Sequence, residues 1–216
     1  MKQKPVFKKD ISRIIIAITA WIALTQQFYL ILQTTTETGF STLKTVTNFF
    51  SYFTILTNLL VALCLTYPLV VPSSIPGRFF SSIKVQSAIA VYIFIVGLVY
   101  NLILRGLISP RGMAWVADNL LHVAVPVLFT SYWLIFTPGR VLQWKNILSW
   151  LIFPSIFLIY SLIRGPVADW YPYPFLHAGK LGYEKVTMNA LLVLGAFLIT
   201  GLAMIAYNRN KKALDS

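Results

Sequence analysis

Six stretches of this chain are long and apolar enough to cross a bilayer: Ile11–Leu32, Asn48–Val70, Val85–Leu104, Met113–Phe136, Asn146–Ile163 and Val186–Tyr207. A hydrocarbon core needs roughly 20 apolar residues of helix to span it. Only helices and closed barrels satisfy their backbone groups there. This pattern predicts an all-α polytopic membrane protein, a bundle of six transmembrane helices forming one domain over residues 1–216, with no soluble domain left over. Only 11% of residues are charged, against about 25% in soluble domains, so lipid must cover much of the surface. The net charge of +12 sits at segment ends instead of on one face. That argues against nucleic acid as a partner and for membrane lipids, whose anionic headgroups attract such residues. The first span is too long for a signal peptide and lacks a small-residue cleavage site. One cysteine and two histidines make a poor set of metal ligands, so neither a metal nor a cofactor is expected.

Orientation follows from Lys and Arg. One side carries Lys2, Lys4, Lys8, Lys9, Arg13, Arg78, Lys84, Arg140, Lys145, Arg209, Lys211 and Lys212, which is 12 residues. The other carries Lys44, Arg105, Arg111, Arg164, Lys180 and Lys185, which is 6. Both termini are therefore expected in the cytoplasm, with the protein integral to the cell (inner or plasma) membrane. Pro72 and Pro76-Gly77 end the second span, Pro110 and Pro138-Gly139 bracket the fourth, and Pro126 and Pro154 predict kinks within spans. Asn210 to Ser216 is expected to fray.

The strongly polar intramembrane residues gather in the outer half. Ser51, Thr54 and Asn58 have the i, i+3, i+7 spacing of one helix face. Thr54 lies roughly 9 Å below the outer end of its span, Asp118 roughly 8 Å and His122 roughly 13 Å, at ~1.5 Å per residue. Gln26, Gln27, Asn101, Arg105, Tyr160, Ser161, Arg164, Thr187 and Asn189 fall at a similar level. Polar groups in hydrocarbon are costly unless paired, so a shared polar cavity opening outward is predicted. Asp118 and His122 are four apart and share a helix face. A carboxylate beside an imidazole fixes its tautomer and makes it a better general base. It then needs a hydroxyl to activate, and Thr54 is at a similar depth. Asn58, Asn101 or Asn119 are candidate oxyanion donors; Ser51, Arg105, Tyr173, His177 and Asn189 are further substrate-side candidates. The plain structural alternatives are a Thr54 hydroxyl bonded to a carbonyl one turn back, a His122 that only packs helices, and an Asp118 paired with Arg105 or Arg111.

Three motifs, Y-F-T-I-L-T-N-L-L at Tyr52–Leu60, D-N-L-L-H-x-x-x-P at Asp118–Pro126 and Y-P-F-L-H at Tyr173–His177, together resemble the androgen-induced-protein-like membrane family, and the chain looks like a bacterial member. The resemblance covers nearly all six spans. It implies a threonine-type hydrolase of fatty acid esters of hydroxy fatty acids, with Thr54 as nucleophile and His122 as its partner. Asp118 departs from the animal pattern, where an amide residue is expected. The residues between His122 and Pro126 also differ. A fatty acyl ester is the substrate class implied. The competing readings are a non-catalytic lipid-binding protein and a small-solute or proton transporter. The segment Arg164–Lys185, rich in aromatics and prolines, is expected to be either a lid carrying Tyr173 and His177 to the mouth or a surface anchor.

Overall fold

The computed structural model describes residues 4–39, 41–107 and 109–212. Lys2 and residues 213–216, where topology and fraying were expected, lie outside them. Among the described residues the chain is all-helical. Six helical stretches are long and apolar enough to cross a membrane: Phe7–Glu37, Phe53–Val70, Ile83–Leu107, Met113–Phe136, Asn146–Ala168 and Tyr183–Asn210.

The elements are α1 (Lys4–Thr38), α2 (Thr42–Phe49), α3 (Phe53–Val70), α4 (Ile75–Ser81), α5 (Ile83–Val99), α6 (Met113–Asn119), α7 (Val125–Phe136), α8 (Asn146–Trp150), α9 (Ile152–Ala168), α10 (Ala178–Leu181) and α11 (Tyr183–Asn210). α5 runs on through a π-helical turn, Tyr100–Leu104, and a second π-helical turn, Leu120–Ala124, joins α6 to α7. α5 is the central helix: 56% of its most apolar window is buried, against 28% for α1 and for α11. It packs on α3, α7 and α11, while α1 lies against α3 and α7. Phe53, Tyr92, Phe153, Phe157 and Phe197 meet ring to ring at centroid distances of 5.1–6.3 Å where α3, α5, α9 and α11 converge. Such edge contacts add to simple burial.

The second span differs from its expected form. It is not continuous from Asn48. α2 ends at Phe49, the chain turns through Phe50–Tyr52, and α3 begins at Phe53. Ser51 therefore does not share a helix face with Thr54 and Asn58. Its hydroxyl lies 2.6 Å from the Thr47 carbonyl and 2.7 Å from the Tyr160 hydroxyl, tying the turn to α9. Thr54 is the second residue of α3, in a first turn whose backbone N–H groups have no partner within the helix. At Pro154 the interruption falls earlier than the proline, at Leu151 between α8 and α9.

The two ends of the bundle are closed differently. At the end holding both termini, Asn208 accepts from the N–H groups of Val141 and Leu142 at 3.1 and 3.0 Å and donates to the Pro138 carbonyl at 2.7 Å. The Lys211 ammonium sits 2.6–3.1 Å from the carbonyls of Leu134, Ile135 and Thr137 at the end of α7, where a cation meets the negative end of the helix dipole. Arg13 donates to the Tyr132 hydroxyl at 2.8 Å. Toward the opposite end a cavity opens over Asp118 and His122.

Candidate functional site

The fourth span is organised by a proline. In an α-helix the N–H of residue 126 would bond to the carbonyl of His122, and in a π-turn to that of Leu121; Pro126 has no N–H. The chain adopts a π-turn in which the N–H of Val125 reaches the Leu120 carbonyl. This leaves the Leu121 and His122 carbonyls open. Two amides from neighbouring helices fill them. Asn58 Nδ2 donates to Leu121 O at 3.2 Å, as well as to Thr54 O at 2.9 Å. Asn101 Nδ2 donates to His122 O at 3.2 Å, as well as to Gly97 O at 2.7 Å. Two carbonyl partners on each nitrogen fix the amide orientation, since a flipped amide would face oxygen with oxygen. Gly97 permits the close approach of α5: a Cβ there would stand 3.0 Å from Pro126 Cβ and 3.4 Å from His122 O.

His122 is thus held on a turn pinned from both sides. Its Nδ1 is 2.9 Å from Asp118 O and 3.1 Å from Asp118 Oδ1, so Nδ1 carries the proton in the neutral ring and Nε2 keeps its lone pair. Tyr100, in the π-turn of α5, stacks on the imidazole at 3.8 Å and 11°. Its hydroxyl donates to Asp118 Oδ2. One tyrosine therefore orients both members of the pair. The sequence reading missed Tyr100, and nothing local to V-Y-N marks it. Asp118 has no ion pair with Arg105 or Arg111; the basic side chain within pairing distance of it among the described residues is His122. The Arg105 guanidinium donates to Asn119 Oδ1 at 3.1 Å and lies 5.7 Å from the Tyr100 ring centroid.

A cavity of about 310 Å³ opens over this pair, lined among others by Gln27, Thr54, Tyr100, Asp118, His122 and Tyr173. Thr54 also lines a second, almost wholly apolar pocket of about 70 Å³ between α3, α5, α9 and α11, with Phe53, Phe157, Val193 and Phe197 in its wall. Thr54, Tyr100, Leu104 and Tyr173 belong to both, so Thr54 stands on the partition between the chamber that holds Asp118 and His122 and an almost wholly apolar one. Thr54 Oγ does not return to the carbonyl one turn back, nor is it hydrogen-bonded to His122. Its partner is the Tyr173 hydroxyl, at 3.4 Å, which also accepts the Thr54 N–H at 3.2 Å. Burial pushes the Tyr173 phenol up to about 12, so it is a neutral donor and acceptor in the working pH range.

Tyr173 arrives on the segment after α9. Asp169 ends α9 in the left-handed conformation (φ 46°), with the Trp170 N–H on the Gly165 carbonyl at 3.1 Å. The segment then turns back toward the bundle, and Tyr171 packs over Gly165, where a Cβ would occupy the ring's position. Pro172, Tyr173 and Pro174 form one wall of the chamber. Asn189 Nδ2 holds the segment from α11, on Phe175 O at 2.9 Å.

Several expected site residues fall elsewhere. Asn58 and Asn101 spend their amide protons on carbonyls and line neither chamber as donors, because the proline-broken helix needs them more. Asn119 donates to Trp115 O at 2.8 Å and accepts from Arg105. Ser51 faces Tyr160, and Asn189 fastens the loop. His177 stacks on Tyr171 at 4.8 Å and 28° and lines neither chamber. Of the candidates, Thr54, His122, Asp118 and Tyr173 are brought together. Comparison with protein-family models, with curated proteins and with solved structures finds no match. The fold and composition define the class: a polytopic helical membrane protein.

Proposed function

We propose that the protein is an intramembrane lipid-ester hydrolase, with both termini cytoplasmic and the polar chamber opening to the outer side. The observation that carries this reading is the position of Thr54. It shares one chamber with an Asp118-oriented His122, and it borders an apolar pocket with room for a few methylene groups of a chain. The resemblance of the three sequence motifs to threonine-type hydrolases of fatty acid esters of hydroxy fatty acids points the same way.

In this reading Thr54 Oγ attacks the ester carbonyl carbon while His122 Nε2 takes the hydroxyl proton. The Asp118 carboxylate stabilises the imidazolium through Nδ1. The tetrahedral oxyanion accepts from the Thr54 N–H, the donor now turned to Tyr173, at the positive end of α3. Collapse breaks the C–O bond, and His122 returns the proton to the leaving alkoxide. Water, deprotonated by His122, then cleaves the acyl-threonine to release the fatty acid and regenerate Thr54. Tyr173 must move aside from Thr54 when the carbonyl arrives. Catalytic hydrogen bonds commonly tighten only with substrate in place.

The test is covalent labelling of the purified protein with a lipid-like fluorophosphonate, followed by mass spectrometry of the modified peptide. An adduct on Thr54 that is lost in His122→Ala is expected. No adduct on Thr54 in folded protein removes the hydrolase reading and leaves a lipid-binding or transport role.

A further inference from the structure

A groove of about 370 Å³ runs between α5 and α7. Both π-turns contribute to its wall, one through Asn101 and Leu102, the other through His122 and Val123. Gly97 and Pro126, at the close approach of the two helices, line it too. His122 belongs to this groove as well as to the chamber, so the two cavities meet at the turn that carries the imidazole. Phe94, Leu102 and Val127 are exposed along the groove, and all three lie in spans. The groove therefore faces lipid.

Its wall carries hydroxyls without partners. In other spans Thr19, Thr25, Thr66 and Ser87 each donate to the carbonyl four residues back, at 2.7–2.8 Å. The Thr130 hydroxyl has no hydrogen-bond partner among the described residues, and the Ser131 hydroxyl beside it has none there either. An unpaired hydroxyl in hydrocarbon is costly, and an acceptor oxygen on a ligand removes that cost. No Lys, Arg, Asp or Glu lines the groove among the described residues. A carboxylate or phosphate would lie there without a counter-charge, so the chemistry selects an uncharged oxygen.

Depth narrows the choice further. Ser131 is five residues from the end of α7 at Phe136, roughly 8 Å along the helix axis. That is near the boundary where hydrocarbon gives way to the polar interface, the level at which the esters of bilayer glycerolipids lie. His122 is nine residues the other way, roughly 13 Å farther from that boundary.

We propose that this groove binds one diacyl glycerolipid of the leaflet nearer the two termini. An ester carbonyl accepts from the Ser131 and Thr130 hydroxyls, and the attached acyl chain runs along α5 and α7 to the π-turn that carries His122. The site does not rest on the hydrolase reading, and the bound lipid is not its substrate. Bulk lipid that merely wets the helices makes the opposite prediction: contact with the groove is independent of the ester oxygen.

The experiment places full-length protein in phosphatidylcholine nanodiscs doped with a phosphatidylcholine that carries a diazirine near the middle of one acyl chain, in matched diester and diether forms. After irradiation the labelled residues are located by mass spectrometry. Ile14, Ile18, Leu191 and Ile199, exposed on α1 and α11, report ordinary lipid contact. The diester probe is expected to concentrate on Leu98–Leu102 and Val123–Val127. The diether probe should label them roughly fivefold less, the factor of one neutral hydrogen bond. Thr130→Val with Ser131→Ala should lower diester labelling to the diether level and leave diether labelling unchanged. Ser131→Ala alone should move it part of the way, in a protein that folds whether or not the double variant does. Equal labelling by the two probes, or label spread evenly over α1, α11 and the groove, overturns the proposal. Ester-dependent groove labelling in protein that gives no Thr54 adduct would keep the lipid site and remove the hydrolase; an adduct with evenly spread label would do the reverse.

Discussion

The two ends of this bundle use the same kinds of polar residues for opposite purposes. At the end that holds both termini, Asn208 and Lys211 are spent on backbone groups left open where α7 stops and the following loop begins. At the other end Asp118, His122, Thr54 and Tyr173 face a chamber, and the backbone repair is done by Asn58 and Asn101 behind them. Polarity within an apolar bundle is therefore no sign of a site on its own. What separates the two ends is whether a polar side chain has donors, acceptors or lone pairs left after the backbone has been satisfied.

That contrast can be broken most sharply at Thr54 and His122. Replacing either by alanine should lower ester hydrolysis by roughly 10³-fold, the scale of losing a nucleophile or its base, while the unfolding midpoint in detergent changes little. Similar losses of midpoint in both variants would place these residues with Asn208 as structural. Asn208→Ala is expected to behave the opposite way. It leaves two N–H groups and one carbonyl without their partner, so stability should fall by about 2–3 kcal/mol, with hydrolysis per folded molecule unchanged.

Asn58→Ala falls between the two. Asn58 is fully buried, and its loss leaves the Leu121 carbonyl without its amide partner, at a cost of about 2 kcal/mol. Because Leu121 lies in the turn that carries His122, turnover per folded molecule should also drop, which Asn208→Ala does not predict. Comparing the two asparagines in parallel hydrolysis and unfolding assays checks this. The smallest effect is expected for Tyr100→Phe. The ring keeps its stack on His122, and only the hydrogen bond to Asp118 is lost. Worth about 1 kcal/mol, it should lower turnover about fivefold with the Michaelis constant unchanged. Tyr100→Leu, which also removes the stack, should cost more, and equal rates for the two would assign the effect to the hydroxyl alone.

Where the signal was local, the sequence anticipated which residues lie together. The Asp118–His122 pair needs only four residues of helix, and the contact follows. Six spans follow from composition over windows of about 20 residues. Where the reading went astray, a distant partner had intervened. Asn58 and Asn101 look like free donors along the chain, yet the carbonyls they serve are 63 and 21 residues away and exist only because Pro126 leaves them open. Ser51 looks like part of α3 until the turn at Phe50–Tyr52 hands it to Tyr160, 109 residues on.

The sequence by itself determined that this chain forms apolar helices across a membrane, where polar residues concentrate along it, and that a carboxylate and an imidazole share a face, because each depends on residues within one or two helical turns of each other. The tertiary structure alone decided that Tyr100 covers His122, that Tyr173 meets Thr54 from 119 residues away, and that Thr54 opens a helix at the wall between two chambers. Those contacts depend on how helices pack side by side, and side-chain volume and unsatisfied backbone groups settle that only once all the helices are in place.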